Sequence, residues 1–79
     1  ADVNRAKVLS ARALMKPATA KSAGLKKVSA RAKIASFAAA IVDSARPFAV
    51  ISDSGEVIGE ISPKSVINLL SGKDRGANA

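Results

Sequence analysis

Cysteine, histidine, tryptophan and tyrosine are all absent from this chain of 79 residues. Without cysteine there is no disulfide and no thiol nucleophile. With histidine missing as well, the His/Cys ligand sets of zinc-type centres are excluded. A cysteine-free composition is compatible with a reducing compartment. The aromatics are Phe37 and Phe48, both at positions that read as core. No platform is left on which the bases of a single-stranded nucleic acid would stack. The longest apolar run is Phe37-Ala38-Ala39-Ala40-Ile41-Val42, far below the roughly 20 residues of a transmembrane helix. Arg5, Lys7 and Arg12 precede no apolar stretch of signal-peptide length. The carboxylates are Asp2, Asp43, Asp53, Glu56, Glu60 and Asp74. A general base would have to be a perturbed Asp, Glu or Lys, and no nucleophile–base pair can be read. No Walker sequence is present. No catalytic residue and no metal ligand is assigned, and the chain is read as non-enzymatic.

Basic residues are plentiful but unevenly placed. Before Pro47 there are ten Lys/Arg against two Asp/Glu, and from Pro47 onward three against four. Lys16, Lys21, Lys26, Lys27, Arg31 and Lys33 form the candidate basic face. Such a face attracts anionic lipid, acidic protein or nucleic acid. Because aromatic stacking residues are lacking, an anionic membrane surface suits it better than nucleic acid. A merely solvated face is the plain alternative.

The chain is long enough for one domain with a small core. Ala1 to Lys7 reads as linker. Ser10 to Met15 reads as a short helix with Ser10 as N-cap, ended by Lys16-Pro17. Ala18 to Gly24 reads as loop, and Leu25 and Val28 are the apolar residues of a segment, Leu25 to Val28, that only a family resemblance marks as a weak strand. Ser29 is a candidate cap for a helix over Lys33 to Ala45, in which Ile34, Phe37, Ala38, Ile41 and Val42 repeat at helical spacing. The stretch Pro47 to Leu70 is the most informative. Phe48 and Val50, with Ser52, alternate along a strand. Asp53-Ser54-Gly55 makes a turn, with Asp bonding local backbone and Gly taking φ > 0. Val57, Ile58 and Ile61 make the next strand. Ser62 caps a helix that opens on Pro63 at its first position. Val66, Ile67, Leu69 and Leu70 give that helix an apolar face, and Gly72 stands where a C-terminal cap is wanted. The fold class is therefore α+β: a small three-stranded sheet covered by two helices, plus a short N-terminal helix.

The order and spacing of Ala49-Val50-Ile51-Ser52-Asp53, Gly55 and Gly59-Glu60-Ile61-Ser62 resemble the second half of a CBS domain. Upstream, Leu14-Met15-Lys16-Pro17, Val28-Ser29 and the Lys33–Ala45 helix extend the resemblance, which divides the chain into a linker and short helix (1–13), a CBS unit (14–71) and a flexible tail (72–79). Val8-Leu9-Ser10-Ala11 and the ending Lys73-Asp74-Arg75-Gly76 are similar to the C-terminal region of ATP-binding subunits in glycine betaine/proline-type ABC importers. The resemblance implies a regulatory module sensing ionic strength or a nucleotide. It implies a homodimer formed by CBS pairing, with a parent ABC ATPase and a membrane permease as partners, on the cytoplasmic side at the inner face of the cell membrane. Val66, Ile67, Leu70 and the Ile34–Ile41 helix are the expected pairing surface.

The same resemblance makes an adenine nucleotide the possible ligand, with Ala49, Gly59, Ser62 and Ser65 as binding positions. The family pattern Gly-x-x-[Ser/Thr]-x-x-Asp is matched at Gly59 and Ser62, but Ser65 replaces the ribose-binding Asp. A hydroxyl cannot supply the charged, bidentate acceptor that a ribose diol favours. A CBS ligand-binding module of another protein is the alternative. A cyclic dinucleotide at a CBS interface, and a small basic nucleic-acid-binding protein, are further readings.

Overall fold

The computed structural model describes residues 3–71, with side chains described from Ala6 onward. The tail expected over 72–79, with its Gly72 cap, lies outside the described residues. The chain runs through α1 (Val3–Val8), α2 (Ala11–Leu14), a 3-10 turn (Ser22–Gly24), β1 (Lys27–Ser29), α3 (Ile34–Ser44), β2 (Phe48–Ile51), β3 (Val57–Ile61) and α4 (Pro63–Ser71). The class is α+β, as expected, with sheet order β1-β2-β3. β1 lies parallel to β2, with Val28 opposite Val50, because the crossover through α3 returns the chain in the same direction. β2 and β3 are antiparallel, with Phe48 opposite Ile61 and Val50 opposite Gly59.

The hairpin between β2 and β3 closes at Gly55, whose φ of 90° suits glycine. Its hydrogen bonds come from Ser52 rather than from the expected Asp53. The Gly55 N–H donates to the Ser52 carbonyl at 2.9 Å, and the Ser52 N–H to the Glu56 carbonyl at 2.8 Å. The Asp53 carboxylate instead turns outward to Arg31. Ser29 does not cap α3. It ends β1, its hydroxyl accepts the Arg31 N–H at 3.2 Å, and Lys33 occupies the N-cap position. Ser10 holds the N-cap position of α2 without a side-chain hydrogen bond. The cap expected at Ser62 is present: its Oγ accepts the Ser65 N–H at 3.1 Å. α3 ends on Ala45 in the left-handed region (φ 57°, ψ 22°), where its N–H reaches the carbonyls of Ile41 and Val42.

The core lies between one sheet face and the helices. Phe48, Val50 and Ile61 from the sheet meet Ile34, Phe37 and Ile41 of α3 and Val66 and Leu69 of α4. Phe37 and Phe48 pack as a tilted pair with ring centroids 6.3 Å apart. Burying each aliphatic side chain here contributes about 1.5–3 kcal/mol.

Two features depart from expectation. The segment read as linker is a docked helix. α1 packs on both α3 and α4, and Ala6, only 1% exposed, sits at the contact. A small residue there lets the backbones approach closely, and α1 joins the helical layer through α3 and α4. The apolar surface expected for a partner is therefore used within the chain. Ile34, Ile41 and Val66 are all 0% exposed, so the pairing surface expected on those residues is not available there; Ile67, at 45% exposed, remains outside.

The second departure is at the outer edge of β3. Lys16 pairs with Glu60 through two backbone hydrogen bonds, Lys16 N–H to Glu60 carbonyl at 2.8 Å and the reverse at 2.9 Å. This clip is why Gly59 is glycine. A Cβ there would stand 2.6 Å from Met15 Sδ and 2.8 Å from the Lys16 carbonyl oxygen. No helix among the described residues is long and apolar enough to cross a membrane.

Candidate functional site

The sheet has two ends and one face turned away from the helices, and the candidate residues divide among them. At the end where β2 begins and β3 finishes stand Ser62 and Ser65. Their hydroxyls lie 2.9 Å apart, and Ser62 Oγ also accepts the Ser65 N–H. Both groups thus satisfy each other and the first turn of α4. Ala49, fully buried, and Gly59, buried beneath Met15, complete the quartet. The Ala49–Glu60 and Val50–Gly59 pairings put Ala49 and Gly59 on opposite faces of the sheet, so of the four only Ser62 and Ser65 are in direct contact. Each also has a structural reason to be what it is. A cavity of about 240 Å³ opens nearby, lined by Lys26, Arg46, Pro47 and Phe48 among others. Lys26 Nζ lies 5.7 Å from the centre of the Phe48 ring, within cation–π range.

The face away from the helices carries Ala49 and Ile51 of β2 with Glu60 and Val57 of β3, since paired residues share a face; the 3-10 turn packs on part of it, and Ala49 is fully buried. Glu60 is the acid of this face. Its Oε2 accepts hydrogen bonds from Ser22 Oγ and, at 2.9 Å, from Thr19 Oγ1. The Ser22 bond first, and the Thr19 bond second, hold its carboxyl below the ordinary carboxylate value, because both stabilise the charged form. Ser22, 1% exposed, also accepts the Thr19 N–H at 2.8 Å. The cluster pins the 19–22 loop across the sheet. Nothing in the residue types at 19 and 22 announced it. The one signal was an acid inside the strand Val57-Ile58-Gly59-Glu60-Ile61, at a position alternating away from the core.

The six basic candidates do not form a single patch of like environment. Lys16 and Lys21 are exposed beside the β3 edge clip and on the loop before the 3-10 turn. Lys26 leans over Phe48, and Lys27 Nζ donates to the Ala23 carbonyl at 3.0 Å. Lys33 Nζ donates to the Val8 carbonyl at 3.1 Å, at the end of α1. Arg31 pairs with Asp53 at 2.7 Å. Arg31 and Lys33 share the opposite end of the sheet from Ser62, where Arg12 joins them. Arg12 was not among the sequence candidates, because only the docking of α2 brings it there.

No family model matches the chain, and searches of curated proteins and of solved structures return no match. Among the described residues, no group of three or more His, Cys, Asp or Glu side chains converges on a common point.

Proposed function

We propose that this chain is a non-catalytic regulatory module of CBS type, from the ATP-binding subunit of an osmolyte importer like those of the glycine betaine/proline class. The observation that carries the reading is the unit β1-α3-β2-β3-α4, with its parallel and antiparallel pairings in that order. The Gly55 turn between β2 and β3 and the Ser62 cap of α4 support the same reading. Between the two signals the resemblance implies, ionic strength is favoured over nucleotide. Ser65 stands in place of the ribose-binding acid, and its hydroxyl is already engaged with Ser62. The exposed Lys and Arg side chains supply a response that salt screens. On this reading the module works on the cytoplasmic side, at the inner face of the membrane, beside its ATPase and permease.

Pairing of two copies is expected through the part of the sheet face away from the helices that the 19–24 segment leaves uncovered. Half-buried Ile51 and Val57 lie there, on the side away from the helices. An isologous two-fold contact would bury both. Light scattering at micromolar concentration should give twice the monomer mass, and Val57→Arg should return it to monomer. A strict monomer with a well-dispersed NMR spectrum would refute the pairing. Within its parent subunit, removal of residues 14–71 should leave ATP hydrolysis intact and abolish its dependence on ionic strength. A parent without a nucleotide-binding ATPase would sink the importer attribution.

A further inference from the structure

We propose that the cavity at the carboxyl end of β1 and β2 is a binding site for a phosphate-type dianion. It does not rest on the CBS reading, since it lies at the opposite end of the sheet from Ser62 and Ser65. In open sheets with parallel strands, ligands settle beyond the carboxyl ends of the strands, where the connections diverge. Here a cavity of about 590 Å³ opens at that place. Three separate segments wall it: the start of α2, the β1–α3 loop and the β2–β3 hairpin.

The lining is chemically one-sided. Among the described residues, Arg12, Arg31 and Lys33 line it, with Asp53 as the carboxylate. Those three cations against that anion leave two positive charges, the complement of a phosphomonoester. Two of the cations are arginines, whose planar forks match tetrahedral oxyanions in pairs of hydrogen bonds. Ser52 and Ser54 add hydroxyls 2.8 Å from each other, each able to turn its proton toward an anion. The Arg31–Asp53 pair does not close the site. Both side chains are largely exposed, 80% and 64%, and such pairs are weak enough to be exchanged for a stronger anion.

The walls are fixed before any ligand arrives. The Ala11 N–H donates to the Ala32 carbonyl at 2.8 Å and the Arg12 N–H to the Ala30 carbonyl at 3.1 Å, which ties α2 to the loop. The Ala30 N–H donates to the Ile51 carbonyl at 2.8 Å, which ties the loop to β2. Lys33 is held by its hydrogen bond to Val8. The backbone around the cavity therefore needs little ordering on binding, and that saving appears as affinity.

The test is an NMR titration of the isotope-labelled chain with inorganic phosphate, at slightly alkaline pH where the dianion dominates. Sodium chloride at matched ionic strength is the control. Saturable shifts are expected at residues 10–12, 30–33 and 52–54 with phosphate and not with chloride. Arg12→Gln and Arg31→Gln should each weaken binding about tenfold, the loss of one charge-assisted contact. Asp53→Asn should tighten it by removing the competing carboxylate, which a purely structural role would not produce. Lys27→Gln, at the other end of the sheet, should change nothing. Glycerol phosphate and phosphatidic-acid vesicles separate the sources. Saturation by glycerol phosphate assigns a soluble ester, saturation by the vesicles alone assigns a lipid headgroup, and either upholds the site. Shifts that fail to saturate, that chloride reproduces, or that Arg31→Gln leaves unchanged would overturn it.

Discussion

Replacing Gly59 by alanine adds one methyl group, and its effect can be worked out from what surrounds it. The new Cβ would meet Met15 Sδ at 2.6 Å, Met15 Cγ at 3.0 Å and the Lys16 carbonyl oxygen at 2.8 Å. The thioether can swing aside, since methionine is the most adaptable of core side chains. The carbonyl cannot, because it accepts the Glu60 N–H at 2.9 Å. The methyl therefore pushes residue 16 off the edge of β3, and both backbone hydrogen bonds of that clip are stretched or lost. Each is worth about 1 kcal/mol net. Overpacking strain adds about 1–3 kcal/mol, while the stiffer unfolded chain returns about 0.4–1 kcal/mol. With both bonds lost the expected net loss is about 2–4.5 kcal/mol, which in a domain of this size lowers Tm by roughly 10–35 °C. Gly24→Ala is the matched control, because a Cβ there meets nothing within 4 Å. Urea and thermal unfolding followed by circular dichroism would measure both. Met15→Ala in the Gly59→Ala background should recover only the part due to sulfur. If Gly59→Ala is neutral or stabilising, or if Met15→Ala restores it fully, the carbonyl contact is not what requires glycine at this position.

Ala45→Gly should raise stability by about 1 kcal/mol, because alanine occupies a left-handed conformation there (φ 57°) that glycine adopts freely; a thermal melt checks it. Glu60 contributes stability in a defined direction with pH. Its folded-state pKa lies below the ordinary 4.5, so the contribution is complete above about pH 4.5 and is lost as pH falls through the lower folded value. Urea melts across the acid range should show that loss in the natural chain and not in Glu60→Gln. AMP should bind more weakly than about 100 µM in calorimetry, and Ser65→Asp should tighten it; low-micromolar binding by the natural chain would contradict the role given to Ser65. Co-sedimentation with anionic vesicles should occur at low salt and fade between about 0.1 and 0.3 M, as screening shortens. Each Lys or Arg near the leaflet is worth about 1 kcal/mol, so changing four of Lys16, Lys21, Lys26, Lys27 and Lys33 to Gln should abolish it, and neutral vesicles should never bind.

The half of the chain from Pro47 onward could be read closely from its residues, because each signal there is local. A Gly at φ 90°, a Ser-Pro at a helix start and apolar residues at periods of two and of nearly four act within a few positions of themselves. α3 was equally plain from Ile34, Phe37 and Ile41. What stayed hidden depends on contacts distant in sequence. α1 reads Val3-Asn4-Arg5-Ala6-Lys7-Val8, too short for a periodicity, and its docking on α3 and α4, with Ala6 buried, is what marks it as part of the core. The Lys16–Glu60 clip is a backbone pairing, indifferent to side-chain type, and its one trace in the residues is Gly59. β1 is three residues long with two exposed ends, too short for a periodicity. Its position, shifted to Lys27–Ser29, is set by pairing with β2. The anion-binding cavity belongs to the same class, since Arg12, Arg31 and Asp53 meet only after three segments have been tied together.

The clip at Lys16 has a consequence for how copies of this chain can associate. A sheet with unpaired rims can recruit further strands without limit, the route by which small β-containing proteins grow into fibres. Here one rim is occupied by residue 16. The other is β1, a short strand flanked by the charged side chains of Lys26 and Lys27, which resist docking of another strand carrying the same charges. If copies pair through the broad face as proposed, two faces brought together by a two-fold axis would leave nothing to add to. Assembly would then stop at a small closed number.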